Sequence, residues 1–93
     1  MPNILVVDDE QVDREAVERC LRGLKDIHLT FASEGEGALE QISEDLPDMV
    51  LTDLRMPKID GLTLVEQLHE VYPSLPVVLM TSRGSEKIAV NAL

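Results

Sequence analysis

The sequence predicts an α/β fold, a parallel sheet with helices on both faces. Two observations carry this. Short apolar runs alternate with segments of helical periodicity along the whole chain, in the pattern βαβαβαβα. The runs Ile4 to Val7 and Met49 to Leu51 are continuous rather than alternating, as in strands buried on both faces. At 93 residues the chain is one small domain, 1–93. With one Phe, one Tyr and no Trp, its core must come from Val, Leu, Ile, Ala and Met.

Ile4 to Val7 is the first strand, ended by Asp8 and Asp9. Gln11 to Leu24 reads as a helix with Val12, Ala16, Cys20, Leu21 and Leu24 on one face and Gly23 as its stop signal. Cys20 is the lone cysteine, so it forms no internal disulfide and reads as a small buried apolar side chain. His28 to Phe31 is a short second strand. Ala38, Leu39 and Ile42 mark a short helix, and Pro47 closes its exit. Met49-Val50-Leu51 is a third strand, again ended by an acid, Asp53. Met56-Pro57 and Asp60-Gly61 punctuate a loop, the second pair being turn chemistry plus a helix cap. Leu62, Val65, Leu68, His69 and Tyr72 follow helical spacing until Pro73. Pro76 opens a fourth strand, Val77 to Met80, which runs into Thr81-Ser82. Ser85 is a credible N-cap for a last helix carrying Ile88, Ala89 and Leu93 on one face.

The formal charge of -10 argues against direct contact with nucleic acid and against an anionic membrane surface, since both require Lys and Arg. The N-terminal apolar run is four residues long without a basic flank, so it is neither a signal peptide nor a membrane span. A cytoplasmic protein is the default expectation.

In an open α/β sheet, ligands bind at the carboxyl ends of the strands, where strand order reverses. Asp8 and Asp9, Asp53, and Thr81 and Ser82 stand at those ends. Two unit charges ~4 Å apart repel by about 1 kcal/mol in water and about 4 kcal/mol at the effective dielectric of a protein surface. Either one of the carboxyls keeps a proton, or a cation sits among them. An all-carboxylate site without His or Cys suits a hard divalent ion such as Mg²⁺. Acids, a hard cation and a nearby hydroxyl suit phosphoryl chemistry, in which a carboxylate attacks in line. No GxxxxGK[ST] phosphate cradle supports nucleotide binding. Neither His28 nor His69 lies at a strand's carboxyl end, and both read as surface or half-buried residues.

Val6-Val7-Asp8-Asp9-Glu10, the stretch Asp53-Leu54-Arg55-Met56-Pro57-Lys58-Ile59-Asp60-Gly61, and Val78-Leu79-Met80-Thr81-Ser82 together resemble the receiver domain of bacterial two-component response regulators. The resemblance runs from the first strand to the last helix. It implies a flavodoxin-like, doubly wound parallel sheet with strand order 2-1-3-4-5. It implies that Asp53 takes a phosphoryl group from a phosphohistidine donor, a sensor histidine kinase or histidine phosphotransfer protein. Asp9 would bind Mg²⁺ directly, Asp8 would support it through water, and the backbone carbonyl of Arg55 would complete the metal shell. Thr81 would hydrogen-bond a phosphoryl oxygen and Ser82 would help through its backbone N–H. Arg55 and Arg83 would flank the phosphoryl group. The implied role is a signalling switch rather than an enzyme. It would control an output domain or partner through the Thr81 loop and the last helix.

The family also carries a fifth strand, a fifth helix and a lysine at the end of that strand. This sequence stops at Leu93, inside the expected fourth helix, and neither Lys58 nor Lys87 matches that lysine. The expected order is therefore 2-1-3-4 with the fifth strand and helix absent. Val77 to Met80 would then form an exposed sheet edge prone to self-association. Three rival readings are weaker. An aspartyl phosphatase usually carries a second acid where Arg55 stands, and a flavin site wants aromatics. An interaction module that is never phosphorylated would not need Asp53, Asp8, Asp9 and Thr81 together.

Overall fold

The apolar runs form strands and the segments between them form helices: β1 (Asn3–Val7), α1 (Gln11–Leu21), β2 (His28–Ala32), α2 (Gly35–Glu44), β3 (Met49–Asp53), α3 (Gly61–Val71), β4 (Val77–Arg83) and β5 (Glu86–Asn91). The structure, a computed structural model, describes residues 2–21, 23, 26–54, 56, 58–83 and 86–91, with the backbone alone at 13, 81–83 and 86–91. The sheet order is β2-β1-β3-β4-β5. The first four strands are parallel, as expected, in the order 2-1-3-4 of a flavodoxin-like sheet. No described helix is long and apolar enough to cross a membrane.

Successive residues of a strand point to opposite faces, and the two faces build two cores. Leu5 and Val7 of β1, with Val50, Val77 and Leu79, pack against Ala38 and Ile42 of α2 and Leu64, Val65 and Leu68 of α3. Ile4, Val6 and Met80 face the other way, against Val17 of α1 and the half-buried Leu29, Phe31, Met49 and Leu51.

Three sequence expectations are corrected. The segment expected to be the last helix is a strand: Glu86–Asn91 runs antiparallel beside β4, with Ile88 opposite Thr81 and Val90 opposite Leu79. Ser85 and Leu93, the expected cap and last core residue of that helix, lie outside the described residues. A strand joined to β4 through two residues satisfies a row of backbone groups that would otherwise face water. The edge expected to be open is therefore paired from Val78 onward.

Helix α1 turns a different face inward. Val12 is 69% exposed, and Ala16 and Cys20 are exposed too, so Cys20 is not a core residue. The inward stripe is Arg14, Val17, Glu18 and Leu21, spaced i, i+3, i+4, i+7. Two of these four are charged, so the apolar pattern alone points to the wrong side. The third correction is in α3. Leu62 is 54% exposed, and the buried stripe is Gly61, Leu64, Val65 and Leu68.

Asp60 caps α3 as expected. Its backbone is extended, and its Oδ1 accepts the N–H of Thr63 at 2.8 Å. The Thr63 N–H, then the Thr63 hydroxyl, hold the Asp60 carboxyl below its usual range against the opposing effect of burial, with a lesser contribution from the Leu62 N–H. Because the folded-state value is depressed, this bond stabilises fully above the usual carboxylate range of about 3.9 and is lost as pH falls through the lower folded value. Asn also caps well but carries no charge to lose. The melting temperature of the wild type should therefore exceed that of Asp60→Asn near neutral pH. The gap should close as melts are repeated from about pH 6 down to about pH 3; a gap that stays constant would refute the assignment.

Candidate functional site

The site follows from register. Val7 of β1 pairs with Thr52 of β3, so Asp8 and Asp53 leave neighbouring strands side by side at their carboxyl ends. β1 also pairs with β2 on its other flank, so chain order reverses here, the place where open α/β sheets bind ligands. One carboxylate oxygen from each of Asp8, Asp9 and Asp53 lies within 4.8 Å of the other two. Asp8 is buried, Asp53 half-buried and Asp9 exposed, so the cluster opens to solvent on the Asp9 side.

The backbone at Asp8 is fixed from several directions. Its N–H donates to the Ala32 carbonyl at 3.0 Å, which ties it to the end of β2. Its Oδ1 accepts the N–H of Glu10 at 3.1 Å, and its carbonyl accepts Nη1 of Arg14 at 2.6 Å. Asp53 is held as firmly. The Leu54 N–H donates to the Met80 carbonyl at 3.1 Å, and the Thr52 hydroxyl donates to the Asp53 carbonyl at 3.1 Å. Thr52 is itself fully buried.

The loop after Asp53 closes on itself. The Gly61 N–H donates to the Leu54 carbonyl at 2.9 Å. Lys58 takes the left-handed backbone, with φ 67°, and is exposed. Ile59 then lies on the start of α2, where a Cβ on Gly35 would meet Ile59 Cβ at 2.9 Å. Gly61 is the tightest point. A Cβ there would overlap the Asp53 carbonyl oxygen and stand 2.9 Å from Leu54 Cα.

Of the residues expected at the site, Asp8, Asp9 and Asp53 come together. Thr81 and Ser82 follow Met80 on β4, and Met80 pairs with Asp53, so their backbone continues the neighbouring strand just past the cluster. Arg55, with its carbonyl, lies outside the described residues. His28 opens β2 at its amino end and His69 sits in the last turn of α3, both away from the acids. Arg14, Thr52 and Gly61 hold the site together without having been expected to. A charged residue on an amphipathic helix, a strand-interior threonine and a turn glycine give no sequence signal of what they will touch.

The donor set fits a hard divalent cation. It consists of carboxylate oxygens, and no nitrogen or sulfur ligand joins them among the described residues.

Comparison with known proteins agrees with this geometry. The family model for the response regulator receiver domain matches residues 4–93. The chain is 39% identical over 89 residues to the DNA-binding transcriptional regulator NtrC of Escherichia coli, covering 96% of this chain and 19% of that protein. It thus spans about a fifth of the curated relative. Among solved structures it is similar to response regulator protein TrrA from Thermotoga maritima in complex with Mg(2+)-BeF, with a TM-score of 0.83 and 31% identity over 90% of this chain and 72% of that one. It is also similar to the signal receiver domain of an HD domain-containing protein from Pseudomonas fluorescens, with a TM-score of 0.82 and 31% identity over 90% of this chain and 66% of that one.

Proposed function

The chain belongs to the response regulator receiver domain family of two-component signalling proteins, and from that premise we propose that it is a switch set by phosphorylation of Asp53. The observation that carries this reading is the convergence of Asp8, Asp9 and Asp53 at the strand ends. A carboxylate oxygen of Asp53 attacks phosphorus in line, the P–N bond to the donor imidazole breaks, and an acyl phosphate forms on Asp53. The donor is a histidine kinase or a histidine phosphotransfer protein.

Asp9 would hold Mg²⁺ directly and Asp8 would support it, with the Arg55 carbonyl as a further ligand. When bound, the ion offsets the carboxylate charge and the charge of the phosphoryl oxygens. The similarity to TrrA, whose structure was solved in complex with Mg(2+)-BeF, supports this assignment. Thr81 hydrogen-bonds a phosphoryl oxygen, and the Ser82 N–H assists. The phosphorylated state acts on an output domain or partner, a reading supported by the NtrC relative being a DNA-binding transcriptional regulator. The setting we propose is the cytoplasm.

The test is intact-mass analysis after incubation with acetyl phosphate and Mg²⁺. One added phosphoryl group is expected, absent without Mg²⁺ and absent in Asp53→Ala. A phosphoryl group that persists in Asp53→Ala would sink the assignment.

A further inference from the structure

Arg14 lies on the inward stripe of α1, half-buried, and its Nη1 donates to the carbonyl of Asp8 at 2.6 Å. That carbonyl belongs to the peptide joining Asp8 to Asp9. We infer that Arg14 is a positioning residue for the acid cluster, clamping this peptide so that Asp9 is turned back over Asp53. The inference rests on the proposed Mg²⁺ site.

Two other hydrogen bonds act on this loop among the described residues. The Asp8 N–H is tied to Ala32, and the Asp8 carboxylate accepts the Glu10 N–H in a turn that spans Asp9, but neither bond holds the carbonyl between the two acids. Asp9 is exposed, so no packing holds its carboxylate toward the other two. The orientation of the peptide plane between the two acids therefore decides where Asp9 points, and the Arg14 guanidinium fixes that plane through a charge-assisted bond. The clamp is short and stiff. The Arg14 N–H donates to the Glu10 carbonyl at 3.1 Å, so the same residue anchors the first turn of α1 to the loop it holds. A planar guanidinium suits this fixed reach, and a lysine ammonium does not reproduce it.

A cation beside the cluster has a second effect of opposite sign. Its charge alone repels a divalent ion. The clamp and the charge therefore predict opposite outcomes when Arg14 is removed, and this makes the inference testable.

Mg²⁺ binding is measured by isothermal titration calorimetry on the whole chain for the wild type, Arg14→Ala, Arg14→Lys and Val17→Ala. Val17 packs from the same helix against the core cluster of Ile4, Val6 and Met80 and is no partner in the loop hydrogen bonds named above. Arg14→Ala and Arg14→Lys should each weaken Mg²⁺ about tenfold, as loss of a partner that orients metal ligands does. Val17→Ala should lower the melting temperature and leave the dissociation constant unchanged, separating positioning from general destabilisation. Wild-type affinity in Arg14→Lys, or tighter binding in Arg14→Ala, would overturn the clamp and leave only charge. Absence of Mg²⁺ binding in the wild type would overturn the proposed metal site itself, and the inference with it.

Discussion

Asp9→Asn should raise the melting temperature of the metal-free chain and abolish its Mg²⁺ binding. The two effects have one cause. Asp9 stands with one carboxylate oxygen within 4.8 Å of oxygens of both Asp8 and Asp53. Each such repulsion is about 1 kcal/mol at the water end of the dielectric range, the end that applies to an exposed group. Relieving both outweighs the loss of one negative charge near the start of α1, which favours the helix by about 0.3–1 kcal/mol. Asn keeps the shape, so packing is unchanged. A net gain of about 1 kcal/mol corresponds to a rise of ~4–8 °C for a domain of this size. Added Mg²⁺ should stabilise the wild type further and leave Asp9→Asn where it is. Thermal melts with and without Mg²⁺ measure both effects. Equal or lower metal-free stability in the mutant would mean that the acids do not repel as their spacing requires.

Gly61→Ala should be the most damaging Gly→Ala change among the described glycines. The added carbon would overlap the Asp53 carbonyl oxygen and press on Leu54 Cα and on Cδ2 of Leu79, each 2.9 Å away. Two of these three atoms are backbone, so no side-chain rotation relieves the clash. Overpacking of this kind costs about 1–3 kcal/mol or more, out of a total of ~5–15 kcal/mol for a small domain. The displaced backbone is that of Asp53 itself, so phosphorylation by acetyl phosphate should slow in the fraction that still folds. Chemical denaturation and the rate of phosphoryl uptake measure the two effects. A Gly61→Ala chain with wild-type stability would show that α3 can retreat from β3 without cost.

Much of this was legible in the residues. Continuous apolar runs marked β1, β3 and β4, because a strand inside the sheet has little polar side to show. The acids that end β1 and β3 marked the site, because parallel strands bring their carboxyl ends to one edge wherever the helices lie. Asp60 marked its cap through purely local chemistry, a carboxylate three residues before the N–H it accepts. Each of these signals is contained within a few consecutive residues.

The remaining features needed partners distant in sequence. Glu86–Asn91 carries enough apolar character for either a helix or a strand, and the free backbone edge of β4 decided the matter. Helix α1 was oriented by Arg14, whose charge reads as solvent-facing until the Asp8 carbonyl is found within its reach. Gly61 reads as a turn residue until the Asp53 carbonyl is seen to occupy the space of its missing side chain. Local patterns of residues were enough to set the element types up to β4 and the chemistry at the strand ends. Which polar groups turn inward and which edge is paired depended on the folded chain, because hydrophobic periodicity records how polar a residue is and not which distant backbone atom it will bond.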